Sequence, residues 1–439
     1  MLKNKRINKK NKTITNLKKK KDVLDEEIES LSDEDSLSSN EDDKLNLKEK
    51  SKPKTTLEKN MSKSISLDEK RLMMAKTLID TVGDKEVDEE IQKSKNEYCT
   101  ELSKNLIIKD NYDFQFIKCH LSGITSITYI DNNTIITTSR DKRSFIIDLN
   151  SEKKTLLPEF TDKPLLSSCL SKDKKNVFFV GGDCKVHLYN IESNKIINVL
   201  PKAHTDSITK ICVDPSNEQV YTVSKDHNLK VWGLNSYNNL IHMETFYGHL
   251  NSVYDMDILQ TNRLVTCGAD ANVHQWKIDS QSFLQYKQGD ISYESIYAMN
   301  KSYFITGDYL GSIKLFNINK KKHIGETYSN KKPTLSFERA TNIGEDNYPI
   351  LSLFGFKNSD LFFAGSTDGN IEAFSCNYNK TNKISKLANI NLLKEGIVSV
   401  INGNKNTLCV AFSKEGKNGR WDVDYNLKKS GIAIVKLLD

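Results

Sequence analysis

The chain has 439 residues, 28% of them charged and 37% hydrophobic, with a formal net charge of +6. That length admits one large repeat fold with an appendage, or two or three ordinary domains. The high charge and low apolar content predict a portion that does not join a packed core, and so mild a net charge does not by itself imply nucleic acid.

Residues 1–21 hold nine lysines and Arg6 and no acid, and residues 22–43 hold eleven acids and no base. Serines 30, 32, 36, 38 and 39 interleave the acidic block. Such blocks carry too little apolar surface to fold alone, so residues 1–65 are predicted to be a disordered tail, basic and then acidic. Lys9, Lys10, Lys12, Lys18, Lys19, Lys20 and Lys21 form a candidate import cluster, and the acidic serines fit casein-kinase-like phosphorylation.

A helical segment is predicted over 66–107. Ser66-Leu67-Asp68-Glu69 forms a capping box, followed by Leu72, Ala75, Ile79 and Val82 on one helical face. Gly83-Asp84 interrupts it, and Val87, Ile91, Tyr98, Leu102 and Leu106 continue the pattern. The apolar stripe needs a partner surface, either the flank of the following domain or another molecule.

Strand signals begin at Tyr112. The stretch Ser224-Lys225-Asp226-His227-Asn228-Leu229-Lys230-Val231-Trp232 recurs through the rest of the chain. Asp141, Asp183, Asp226, Asp270 and Asp368 each stand six residues before a large apolar residue: Ile147, Tyr189, Trp232, Trp276 and Phe374. Between Trp276 and Phe374 the apolar end is Phe316, with Leu310 in the aspartate position. These ends lie 42, 43, 44, 40 and 58 residues apart. A period near 40–45 with an aspartate turn and an aromatic strand end specifies a β-propeller, one four-stranded blade per repeat. The 58-residue gap assigns an insertion to roughly 320–347.

His120, His204 and His249 precede their repeat ends by 27 or 28 residues. At that spacing a loop histidine reaches the turn aspartate of its own blade, and a strand serine and the tryptophan extend the hydrogen-bonded chain. His204, Ser224, Asp226 and Trp232 supply a full set. His249, Asp270 and Trp276 lack the serine, replaced by Gly268. These are read as structural brackets and not as metal or catalytic residues. Six blades are countable, the first about 120–150. The last segment, 396–439, holds three strands, so Phe114–Lys118 is expected to close the seventh blade. The expectation for 112–439 is therefore an all-β, seven-bladed propeller closed by an N-terminal strand. Eight cysteines without a C-x-x-C pair predict buried free thiols in a reducing compartment. Without an 18-residue apolar run or a signal sequence, a soluble intracellular protein is expected.

Two stretches are required by no propeller. Glu69-Lys70-Arg71-Leu72-Met73-Met74-Ala75-Lys76 resembles the opening E-K-R/K-L-R-L-A-K helix of the WD40-repeat U3 small nucleolar RNA-interacting protein family. Gly419-Arg420-Trp421, with Ser430-Gly431-Ile432-Ala433-Ile434-Val435 after it, is similar to that family's G-R-W loop and terminal strand. The resemblance covers about 66–439. The chain looks like a divergent member, since blade one lacks the Gly-His glycine and its tryptophan. The resemblance implies a non-catalytic subunit of the U3 small nucleolar ribonucleoprotein and small-subunit processome, located in the nucleus and nucleolus. It would bind the B/C-box region of U3 RNA beside a small kink-turn-binding protein and act in pre-rRNA processing toward 18S rRNA. No cofactor is implied.

Arg140, Lys142, Arg143, Lys225, Lys417 and Arg420 are expected to form a cationic arc for phosphates on one face, with Trp421 available to stack. Lys70, Arg71, Leu72 and Lys76 are the candidate docking residues of the helix. The competing expectation is a protein-interaction scaffold, such as a ubiquitin-ligase substrate receptor or a chromatin adaptor. An enzyme is disfavoured, because G-x-S-x-G, Walker and H-E-x-x-H motifs are missing.

Overall fold

Strand Asn176–Gly181 is apolar almost throughout, and it and Gln219–Ser224 are buried on both faces. Runs of this kind belong inside a stack of sheets. Outer strands such as Lys195–Leu200 are largely exposed. The computed structural model describes residues 102–106, 112–214, 219–235, 239–287, 289–329, 348–376, 383–393, 395–404, 407–419, 427 and 429–436. These form seven four-stranded antiparallel sheets, with strands a to d in chain order from the axis outward. Blades one to six span 124–156, 165–200, 208–246, 253–287, 293–328 and 350–390. The first strand of each blade packs on the first strand of the next.

Blade seven takes Ile397–Asn404, Thr407–Ser413 and Ser430–Lys436 from the chain end and Phe114–His120 as its outer strand. Phe116 pairs with Ala433 and Ile117 with Ile432. This closure joins the two ends of the domain and removes the edges of an open ring. Across the seam Ile124 N donates to Ser413 Oγ at 2.9 Å and Asn402 Nδ2 to Ile127 O at 2.7 Å. The fold expected from the repeat is the fold observed.

The described end of the helical segment, Leu102–Asn105, is a 3-10 turn, and 66–101 lie outside the described residues. Leu102 and Leu106 pack into the core between blades six and seven, beside Tyr112 and Leu408, while Ser103 N donates to Asp360 Oδ1 at 3.1 Å. The insertion also starts later than 320, because Gly325–Tyr328 is the outer strand of blade five.

Every strand a carries a register shift at the same place. Thr125, Leu166, Thr209, Tyr254, Glu294, Leu351 and Ser399 each drop out of the pairing. A bulge re-aims the residue it releases. Thr125 and Thr209 donate to Leu165 O and Val253 O of the next blade, each at 2.8 Å. Glu294 and Leu351 instead face a loop that arrives from blade seven.

Candidate nucleic-acid interface

The b–c turns are built by one local device. Oδ1 of Asp141, Asp183, Asp226, Asp270 and Asp368 accepts the backbone N–H two residues on, at 3.0–3.3 Å. The residue after the aspartate is left-handed: Lys142 (φ 70°), Cys184 (φ 61°), His227 (φ 72°), Ala271 (φ 57°) and Gly369 (φ 82°). Four of the five are not glycine, so the carboxylate holds a conformation with a steric cost.

In blades three and four a second layer fixes that carboxylate. Nδ1 of His204 lies 2.9 Å from Asp226 and Nδ1 of His249 lies 2.9 Å from Asp270. Nε2 of each histidine meets a threonine, Thr222 at 2.8 Å and Thr266 at 2.7 Å. The same threonines accept from Trp232 Nε1 and Trp276 Nε1 at 2.8 Å. The bridging hydroxyl is therefore threonine, not Ser224 as expected, and blade four is complete despite Gly268. Ser224 acts one step away: its Oγ accepts from Asp226 N at 3.1 Å and lies 3.0 Å from Asp206 O and Ser207 O. Blade one repeats the pattern with His120, Asp141 and Thr137.

Burial pushes these carboxyls up, but the histidine hydrogen bonds, the imidazole charge and the backbone amides outweigh it. Asp141 is held at about 2, and Asp226 and Asp270 lie well below the usual carboxylate range. His274 sits fully buried against His249, ring centroids 4.1 Å apart. Burial and the neighbouring His249 lower it to about 3, so it is neutral at neutral pH. His249, Asp270 and His274 bring ligand-type atoms within 4.8 Å of one another, yet His249 and Asp270 already bond each other.

Blade five does not lack its carboxylate; the group has moved. Asp308 ends the second strand, where blade three has Ser224. It accepts from Leu310 N at 3.0 Å, Ser312 N at 2.8 Å and Ser312 Oγ at 2.6 Å. Lys314 Nζ, 3.1 Å away, replaces the histidine.

The blade-seven loop that carries Gly419 crosses the axis. Lys417 Nζ reaches Asp255 Oδ2 of blade four at 3.0 Å, and Asn418 Nδ2 reaches Glu294 of blade five at 2.8 Å. Gly416 packs on Leu351 of blade six. A Cβ on Gly419 (φ 64°) would lie 2.0 Å from the Arg140 guanidinium of blade one, so a larger residue there has to displace the tip of that side chain. At the loop base Glu415 bonds Ser122 Oγ and stands 3.6 Å from Arg140 Nε.

The expected cationic arc therefore divides. Arg140, Lys225 and Lys417 line one axial cavity of about 350 Å³. Lys417 is not a free surface cation, since Asp255 holds it at 13% exposure, and Arg140 is paired with Glu415. Lys142 and Arg143 are exposed on the blade-one turn, and Lys225 is half-buried. Arg420, Trp421, Lys70, Arg71, Leu72 and Lys76 lie outside the described residues. Sequence reasoning missed Lys210, Asp255 and Glu415. A signal existed for two of them: Lys210 and Asp255 are charges inside otherwise apolar inner strands, where charge is tolerated only when paired.

Comparison with known proteins follows the same division. The WD domain, G-beta repeat family matches residues 194–233 and 241–277, which contain the two complete His–Asp–Thr–Trp brackets. The U3 snoRNP-associated protein-like EMB2271 of Arabidopsis thaliana is 24% identical over 163 residues, covering 37% of this chain and 33% of that protein. Ribosomal RNA-processing protein 9 of Saccharomyces cerevisiae is 23% identical over 328 residues, covering 61% of this chain and 57% of that protein. The chain thus spans between a third and just over half the length of these curated relatives. The solved structure of U3-55K has a TM-score of 0.65 at 22% identity, covering 74% of this chain and 98% of that one. A crystal structure of RRP9 WD40 repeats gives a TM-score of 0.65 at 22% identity, with 74% and 97% covered. At that identity the structural likeness speaks for the fold. The chain is a WD40-repeat propeller protein whose relatives carry names from the U3 particle and from rRNA processing, as the resemblance in its sequence implied.

Proposed function

We propose that this WD40-repeat protein is a non-catalytic subunit of the U3 small nucleolar ribonucleoprotein that binds U3 RNA and acts in pre-rRNA processing toward 18S rRNA. The observation that carries this reading is the pair of relatives named for the U3 particle and for ribosomal RNA processing. The G-R-W loop adds support from within the chain, because a propeller does not need a loop that reaches four other blades. The binding region on the RNA is its B/C box, the neighbouring protein is a small kink-turn binder, and the place is the nucleolus. Exposed Lys142 and Arg143 contact phosphates, which position an RNA without reading its sequence.

Capture of the full-length chain from cells after ultraviolet crosslinking, with sequencing of the bound RNA, tests the partner. Strong enrichment of U3 is expected, with reads concentrated at the B/C box. Recovery of peptide partners with no enriched RNA would overturn the reading in favour of a protein-interaction scaffold. One feature favours that second reading: Ile197, Ile241, Met243 and Phe283 leave the outer strands of blades two to four partly apolar and exposed.

A further inference from the structure

Asp255 is one carboxylate between two ammonium groups. Lys210 Nζ stands 3.0 Å from Oδ1 and Lys417 Nζ 3.0 Å from Oδ2, and the Asp255 side chain is 7% exposed. One positive charge of this triad has no counterion within it, and Lys210, its side chain 37% exposed, is open to an anion. The triad lines the axial cavity together with Lys225. The other charges of the cavity wall cancel. Lys357 pairs with Asp257 at 3.0 Å, and Arg140 pairs with Glu415 at 3.6 Å. An excess of positive charge therefore remains, from the triad and from Lys225, with Glu294 behind Asn418 the nearest further carboxylate, around a space of about 350 Å³. Ligand pockets run from roughly 300 to 1,000 Å³, so the space suits a compact ligand.

We infer that the axial cavity binds a small diphosphate-bearing anion, held by Lys210, Lys225 and Lys417. A phosphoryl group accepts several charge-assisted hydrogen bonds at once, which a lone carboxylate ligand does less well. The cavity is a different place from the blade-one turn proposed for RNA. A polynucleotide approaching the b–c face meets the Glu415–Gly419 loop, whose Lys417 and Asn418 already reach blades four and five. A bound anion also ties that loop to Lys210 of blade three and so fixes the loop from a fifth blade.

Isothermal titration of the purified full-length chain with inorganic pyrophosphate tests this, with a nucleoside diphosphate in a parallel arm. Saturable binding is expected, weakened about tenfold by Lys225→Ala, which breaks no ion pair in the structure, and similarly by Lys210→Ala. Lys320→Ala, at an exposed position, leaves it unchanged. Tighter binding of the nucleoside diphosphate assigns the natural ligand to a nucleotide; equal or weaker binding assigns it to a free diphosphate. Thermal melts establish that each variant is folded, and if Lys210→Ala is not, Lys225→Ala decides alone. No heat at millimolar pyrophosphate, or equal affinity in Lys225→Ala, overturns the inference.

Discussion

Blades three and five solve the same problem with different chemistry. Each must hold a tight b–c turn with a left-handed residue, His227 in one and Gly311 in the other. Blade three uses a carboxylate in the turn, a loop histidine, a threonine and a tryptophan. Blade five places the carboxylate two residues earlier and balances it with Lys314 from the neighbouring strand. A histidine is able to stay neutral when its partner is lost, whereas a buried lysine must either keep an unpaired charge or lose its proton. The two turns therefore have equal geometry and unequal vulnerability.

Removing each carboxylate sharpens that contrast most. Asp308→Ala leaves the Lys314 ammonium, 8% exposed, with only the more distant Glu326 at 4.0 Å, and strips the Leu310 and Ser312 amides of their acceptor, so it should cost about 3–5 kcal/mol. Asp226→Ala leaves the His204 ring without its carboxylate partner and one open turn, and should cost roughly 1–3 kcal/mol. Denaturant titration of both variants checks the order; a larger loss for Asp226→Ala contradicts it. The threonines come next. Thr222→Val deprives His204 and Trp232 of a shared partner and should cost about 1–3 kcal/mol. Thr306, its counterpart in blade five, is buried with no hydrogen bond to its hydroxyl. Thr306→Val should therefore stay within about 0.5 kcal/mol of the parent or gain stability.

Acid separates the blades further. His274 in blade four titrates near 3 when folded and near 6.5 when unfolded, because burial disfavours the imidazolium. The unfolded chain binds the extra proton between those values, so stability is lost as pH falls from about 6.5 toward 3. Asp141 has the opposite origin and a lower window. Its folded value of about 2 stabilises the protein above 3.8, and that contribution disappears as pH drops from 3.8 to about 2. His274→Phe should flatten the decline in urea midpoint between pH 7 and pH 4.5. A decline as steep as the parent's contradicts the assignment to His274. The smallest expected effect is on RNA retention. Lys142→Glu with Arg143→Glu should lower the salt dependence by about one to two phosphate contacts, with the melting temperature unchanged.

The blade count and the ring closure were legible because they rest on period and pattern. Asp226 six residues before Trp232 identifies a blade wherever both residues are present. Blade five escaped this logic because Asp308 does the same work from an unexpected offset, and the threonine bridge escaped it because Thr222 shares a strand face with the more conspicuous Ser224. The loop across the axis was visible as a motif, but its targets were not. Lys417 and Asp255 are 162 residues apart, and no local pattern predicts which blade a long loop reaches. The ion pairs within the expected arc were hidden for the same reason, since pairing of Arg140 with Glu415 depends on how the ring closes.

Peptide-resolved protein–RNA crosslinking of the full-length chain tests the central claim most directly. The account predicts U3 RNA crosslinked to the peptide that carries Lys142 and Arg143, with none on the inner strands Ile208–Val213 and Val253–Gln260. Crosslinks on those inner strands, or an RNA population without U3, would contradict it.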